Sequence, residues 1–176
     1  MQILSKQKNK VGQTGFSLVE VLIACAVISV SIFALMSAST QGIQLSREAL
    51  QQVQAGSILE EGAEAVKSIR DTNVSGTDSG WANIGGLTLD TNYYLTFNTS
   101  TNVWLLSTTP TSAIDSLFTR VITFSAVNRD ANDDITSSGG TLDVKTKKVT
   151  VTVTWPRSDN TTTSKNLGFY ISDIFD

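Results

Sequence analysis

The sequence predicts an α+β protein in which a long N-terminal α-helix, membrane-spanning in its first half, packs on a small antiparallel β-sheet. Three observations carry that prediction. An apolar run fills residues 16–38, a weaker helical period continues to about residue 72, and beyond Gly76 the pattern turns to alternation rich in Thr, Ser and Asn.

The first element is the apolar run. From Val21 to Ala38 the only non-apolar side chains are Ser29, Ser31 and Ser37. Serine returns its hydroxyl to the carbonyl one turn earlier and so is tolerated in a membrane helix. With Phe16–Val19 the stretch is about 23 residues, enough to span a hydrocarbon core of roughly 30 Å. Before it stand Lys6, Lys8 and Lys10 with no acid. A basic flank is retained in the cytoplasm, which puts the N-terminus inside and everything after Ala38 outside. The single cysteine, Cys25, falls inside the run and reads as a small helix-packing or membrane-facing residue. No intramolecular disulfide is possible, so the outer part must fold without one.

Three readings fit such a segment: a plain anchor, a signal peptide cut near Ser37-Ala38-Ser39, or an anchor whose basic leader is removed at the Gly15–Phe16 boundary. Glu20 separates them. A carboxylate in a membrane helix costs about 2.5–3.5 kcal/mol at the centre and less near the interface. A plain anchor or a signal peptide gains nothing from that cost.

The second element continues the helix. Leu45, Ala49, Val53, Ile58 or Leu59, Ala63, Val66 and Ile69 recur at spacings of three to five, with Gln51, Gln52, Gln54, Glu60, Glu61, Glu64 and Lys67 between them. Gly42, Gly56 and Gly62 each weaken the helix by about 1 kcal/mol against alanine. The pattern breaks near residues 71–73, giving a helix of about 80 Å at 1.5 Å per residue. Leu59, Val66 and Ile69 are expected to pack on the sheet.

Four or five antiparallel strands follow. Gly86–Asn98 and Val121–Val127 alternate, and Leu142–Trp155 places Val149, Val151, Val153 and Trp155 on one face with threonines on the other. Leu167–Ile174 gives a last short strand. At least two of Trp81, Trp104 and Trp155 are expected in the core. The domain boundaries expected are 1–15 for the leader, 16–72 for the helix (16–38 spanning, 39–72 amphipathic) and 73–176 for the β-rich part.

Composition excludes several chemistries. There is no histidine, so the usual imidazole base and metal ligand are missing. No nucleophile elbow, Walker loop or paired-cysteine zinc site is present, and Ser79 in GTDSGW reads as a turn residue. We expect no catalytic residue, no cofactor and no enzyme activity. Asp130, Asn132 and Asp134 alternate like the opening of a calcium loop but lack its glycine and terminal glutamate, standing as a weak calcium candidate. Lys145, Lys147 and Lys148 read as solvated charges on an exposed strand. With a net charge of −3, no nucleic acid is expected as a partner.

Gly15-Phe16-Ser17-Leu18-Val19-Glu20, followed by the apolar helix, resembles the cleavage and methylation motif of type IV prepilins and type II secretion pseudopilins. The likeness covers residues 1 to about 72, and the rest only in general architecture. Leu59–Asp71 is similar, more weakly, to the corresponding segment of minor pilins of the pilus-modification type. Prolines occur only at Pro110 and Pro156, so the kinking proline of many major pilins is missing.

The resemblance implies a pilin-like fold and cleavage by a prepilin peptidase between Gly15 and Phe16. Methylation of the new Phe16 amine and assembly with other pilin subunits would follow. Losing the three leader lysines takes the formal balance from −3 to −6. It implies that Glu20 meets the Phe16 amine of a neighbouring subunit and fixes register. The chain would be a single-pass protein of the inner membrane that then enters a cell-surface pilus. A type II secretion pseudopilin shares every N-terminal feature. A membrane-anchored extracellular binding domain is the reading from another class.

Overall fold

In the computed structural model, residues 15–72 and 80–174 are described. The leader lysines, Gly76 and Ser79 lie outside them. Helix α1 runs Leu18–Asp71, then a one-turn helix α2 spans Ala82–Gly85. The strands are β1 (Tyr94–Asn98), β2 (Val103–Ser107), β3 (Thr119–Arg129), β4 (Ile135–Thr136), β5 (Thr141–Pro156) and β6 (Thr162–Ser172). The chain divides into two compact units at Leu45/Ser46. The first consists, among the described residues, of the apolar half of α1, and none of it is buried.

The second unit holds the core. Ala55, Ile58, Leu59, Gly62, Ala63, Ala65, Val66 and Ile69 of α1 are buried, recurring at three and four residues as one helical face requires. They meet the odd-numbered residues of β5: Val149, Val151, Val153 and Trp155 are all buried, as alternation predicts. Even-numbered Arg120, Ile122 and Phe124 of β3 complete that layer. The expected packing of Leu59, Val66 and Ile69 is found, and Trp81 and Trp155 are core residues.

Gly62 sets how closely helix and sheet approach. A Cβ there would stand 2.9 Å from Val151 Cγ1 and 3.0 Å from Arg120 Cδ. Arg120 is buried beneath α1. Its Nη1 donates to the Ile58 carbonyl at 3.2 Å and lies 3.3 Å from Glu61 Oε1, while its guanidinium sits over the Trp104 ring. A buried cation needs such partners on several sides.

The strands form two antiparallel sheets rather than one. β1 and β2 make a hairpin, while the larger sheet has the order β4-β3-β5-β6. Tyr93 bridges to Ile122, joining the start of β1 to β3. Three further differences from the sequence reading have physical causes. Leu87–Asn92 is turn rather than strand, with Asp90 at positive φ and its N–H donated to the Phe124 carbonyl. β2 carries no alternation because Val103-Trp104-Leu105-Leu106 is apolar throughout. β6 begins at Thr162, ahead of Leu167, since its polar first half is held by backbone pairing with β5.

Two more expectations are corrected. Leu45 and Val53 are each 68% exposed, so the packed helical face begins at Ala55. β5 is a central strand and Lys147 on it is only 8% exposed, which replaces the picture of three solvated lysines on an exposed strand. β5 also carries a bulge: Ala126 pairs with Lys147 but Val127 with Asp143, leaving Val144, Lys145 and Thr146 unopposed on β3.

Candidate assembly site

Residues 15–20 form the entry to α1. The Ser17 carbonyl accepts the N–H groups of Glu20 at 2.9 Å and Val21 at 3.2 Å, closing the first turn. Ser17-Leu18-Val19-Glu20 has the spacing of a capping box, a Ser with a Glu three residues on. Glu20 therefore sits in the first turn, where the helix dipole favours a negative charge. The Gly15 position is open. A Cβ there would meet nothing within 4 Å among the described residues.

Beyond Glu20 the helix is apolar on every side. Phe16 is 81% exposed, and Leu18, Leu22, Val27, Val30, Phe33 and Leu35 are all exposed, so no other described residue covers them. The segment is long and apolar enough to cross a membrane by length and composition. Three of its hydroxyls are satisfied by carbonyls of the preceding turn. Ser29 donates to the Cys25 carbonyl at 2.7 Å and Ser31 to that of Val27 at 2.8 Å. Thr40 donates to Met36 and Ser37. Cys25 is a free, exposed thiol.

The acidic turn between β3 and β4 is held by side-chain to backbone hydrogen bonds. Asp130 Oδ1 accepts the backbone N–H groups of Asn132 at 2.8 Å and Asp134 at 3.0 Å, so it caps its own turn. Beside it Arg129 brings in a guanidinium. Nε donates to Asp143 Oδ2 at 2.7 Å, Nη1 to the Asp133 carbonyl at 2.8 Å and Nη2 to Thr146 Oγ1 at 3.4 Å. The hydrogen bond from Arg129 holds the Asp143 carboxyl below its usual range, and Thr146 adds to this. The same bond raises Arg129. Among the described residues no group of three or more His, Cys, Asp or Glu side chains could hold a metal ion.

The structure thus brings Gly15, Phe16 and Glu20 together at the mouth of the apolar helix and leaves Asp130, Asn132 and Asp134 in a self-capped turn. Sequence reasoning missed the Arg129–Asp143–Thr146 cluster, because it depends on the β5 bulge that brings Asp143 opposite Val127.

The prokaryotic N-terminal methylation motif matches residues 11–36. No curated protein and no solved structure matches the chain. The chain carries the prepilin signature of type IV pilin-like proteins.

Proposed function

We propose that the protein is a minor type IV pilin, a structural component or assembly initiator of a cell-surface filament and not a catalyst. On this reading a prepilin peptidase removes residues 1–15, Phe16 is N-methylated, and residues 16–38 hold the subunit in the inner membrane before it joins other pilin subunits. Residues 39–72 then carry the β-rich part, 73–176, outward. The carrying observation is the methylation motif at 11–36 laid over a helix whose apolar side chains no other described residue covers. Such a surface is stable only in lipid or in a bundle of like helices. The missing helix proline supports the minor over the major subunit.

Glu20 gives the bundle its register. Alone in lipid a carboxylate is costly. Facing the Phe16 amine of a neighbouring subunit, in surroundings of low dielectric, it is strongly attracted. Phe16 and Glu20 are four residues apart, so a subunit displaced along the axis leaves both charges unpaired. That penalty selects the aligned arrangement.

The test is the mass of the N-terminal peptide of protein purified from membranes and from sheared surface fibres. An N-methylated Phe16 start in both fractions is the expected result. Protein retaining Met1–Gly15, or absent from fibres, overturns the reading. If deletion of its gene stopped protein secretion and left surface fibres intact, the pseudopilin reading would replace it.

A further inference from the structure

The face of the larger sheet turned away from α1 carries a groove of about 480 Å³. The β5 bulge bends the sheet there, and the ends of β3 and β4 form one wall. Ser125, Lys148 and Tyr170 lie abreast across β3, β5 and β6 on its floor, with Thr150 next along β5. Asn128 and Thr136 line the side past the bulge.

Two features set this groove apart from the rest of the surface. Tyr170 is 51% exposed on a strand whose inward neighbour Ile171 is buried, so its ring is held on a rigid element and left open. The side chains of Asn128, Lys148, Thr150 and Tyr170 make no hydrogen bond or ion pair among the described residues. In the adjacent Arg129 cluster, by contrast, every charged group is engaged. The carboxylate hydrogen-bonded to a groove residue among the described ones is Asp90, which accepts the Ser125 hydroxyl at 2.6 Å. That leaves Lys148 as the unpaired charge.

A flat aromatic ring suits the C–H face of a pyranose, and an amide with hydroxyls suits its ring of hydroxyl groups. One unpaired ammonium suits one carboxylate. The volume is in the range of small-ligand sites. A nucleic acid fits less well, because its affinity comes from several phosphates neutralised together and the groove offers one cation on a net-acidic chain.

We propose that this groove binds a glycan through a sugar residue bearing a single carboxylate, with Tyr170 stacking on the ring and Lys148 pairing with the acid. The site lies wholly within the second unit and stands whether or not the chain enters a filament. The test is titration of the full chain, in detergent micelles, with a glucuronic-acid-terminated disaccharide and with its neutral glucose counterpart. The acidic sugar is expected to bind about tenfold more tightly, the value of one charge-assisted bond. Lys148→Gln should remove that preference, and Tyr170→Ala should abolish binding of both sugars, with the thermal midpoint unchanged in each exposed-site variant. Equal binding of the two sugars, or an acidic preference that survives Lys148→Gln, overturns the proposal. So does oligothymidylate binding more tightly than the acidic disaccharide.

Discussion

Glu20 and Asp143 are both carboxylates, yet their surroundings give them opposite fates. Glu20 lies exposed on an apolar helix and, in the proposed filament, waits for a partner outside the chain. Glu20→Ala should insert into the membrane at least as well as the parent, since an uncompensated carboxylate costs about 2.5–3.5 kcal/mol there. Its share of sheared fibres should fall by an order of magnitude or more, read by quantitative blotting against the membrane pool. Asp143 has its partner already, in Arg129. Its folded pKa lies below the unfolded value of 3.8, so the stability it contributes is present above that value and fades as pH falls through the depressed one. Asp143→Asn should therefore lower the thermal midpoint at pH 7, and the difference from the parent should shrink as pH falls through the depressed pKa. Glu20 was legible in the sequence because it interrupts an apolar run. Asp143 was not, since its partner is fourteen residues away across a bulge.

At the scale of elements, α1 and β5 approach closely at Gly62. Gly62→Ala would gain about 1 kcal/mol of helix propensity, but its methyl must displace Val151 and the buried stem of Arg120. Both neighbours are held, Arg120 through Ile58 and Glu61, so overpacking of about 1–3 kcal/mol is expected to win. A denaturant midpoint below that of the parent checks it. Phe124, fully buried and edge-on to Tyr93, sets the larger scale: Phe124→Ala should cost about 3–5 kcal/mol in the same measurement. The helix and β5 could be read from period alone because each buries one clean face. β2 and the first half of β6 could not, since one is apolar on both faces and the other polar on both, and pairing with a neighbour decides them. Leu45 and Val53 misled in the opposite sense: they keep the helical period but lie ahead of Ala55, where burial begins.

Across the whole molecule, the two units differ in how much of themselves they bury. The second has its own core and keeps its tie from Arg157 to Glu48, at 2.9 Å, on its own side of the division. A fragment starting at Ser46 should unfold in one cooperative transition without detergent, whereas the full chain should need detergent or lipid to stay dispersed; calorimetry and sedimentation check both. The sequence shows a run of apolar residues to Ala38 followed by mixed ones, whereas the compact units divide later, at Leu45/Ser46. The groove beside Tyr170 left no such trace, for it arises where three strands meet a bulge. Gly15 carries the widest consequence. Among the described residues nothing stands within 4 Å of a Cβ built there, so a bulkier residue leaves the contacts of those residues in place. If a peptidase reads that glycine, Gly15→Ala should accumulate as uncut precursor with an unaltered globular part, invisible to any surveillance that recognises misfolding. Maturation and folding would then be inherited through separate positions, and a lineage could lose its fibres while every copy of the protein remained sound.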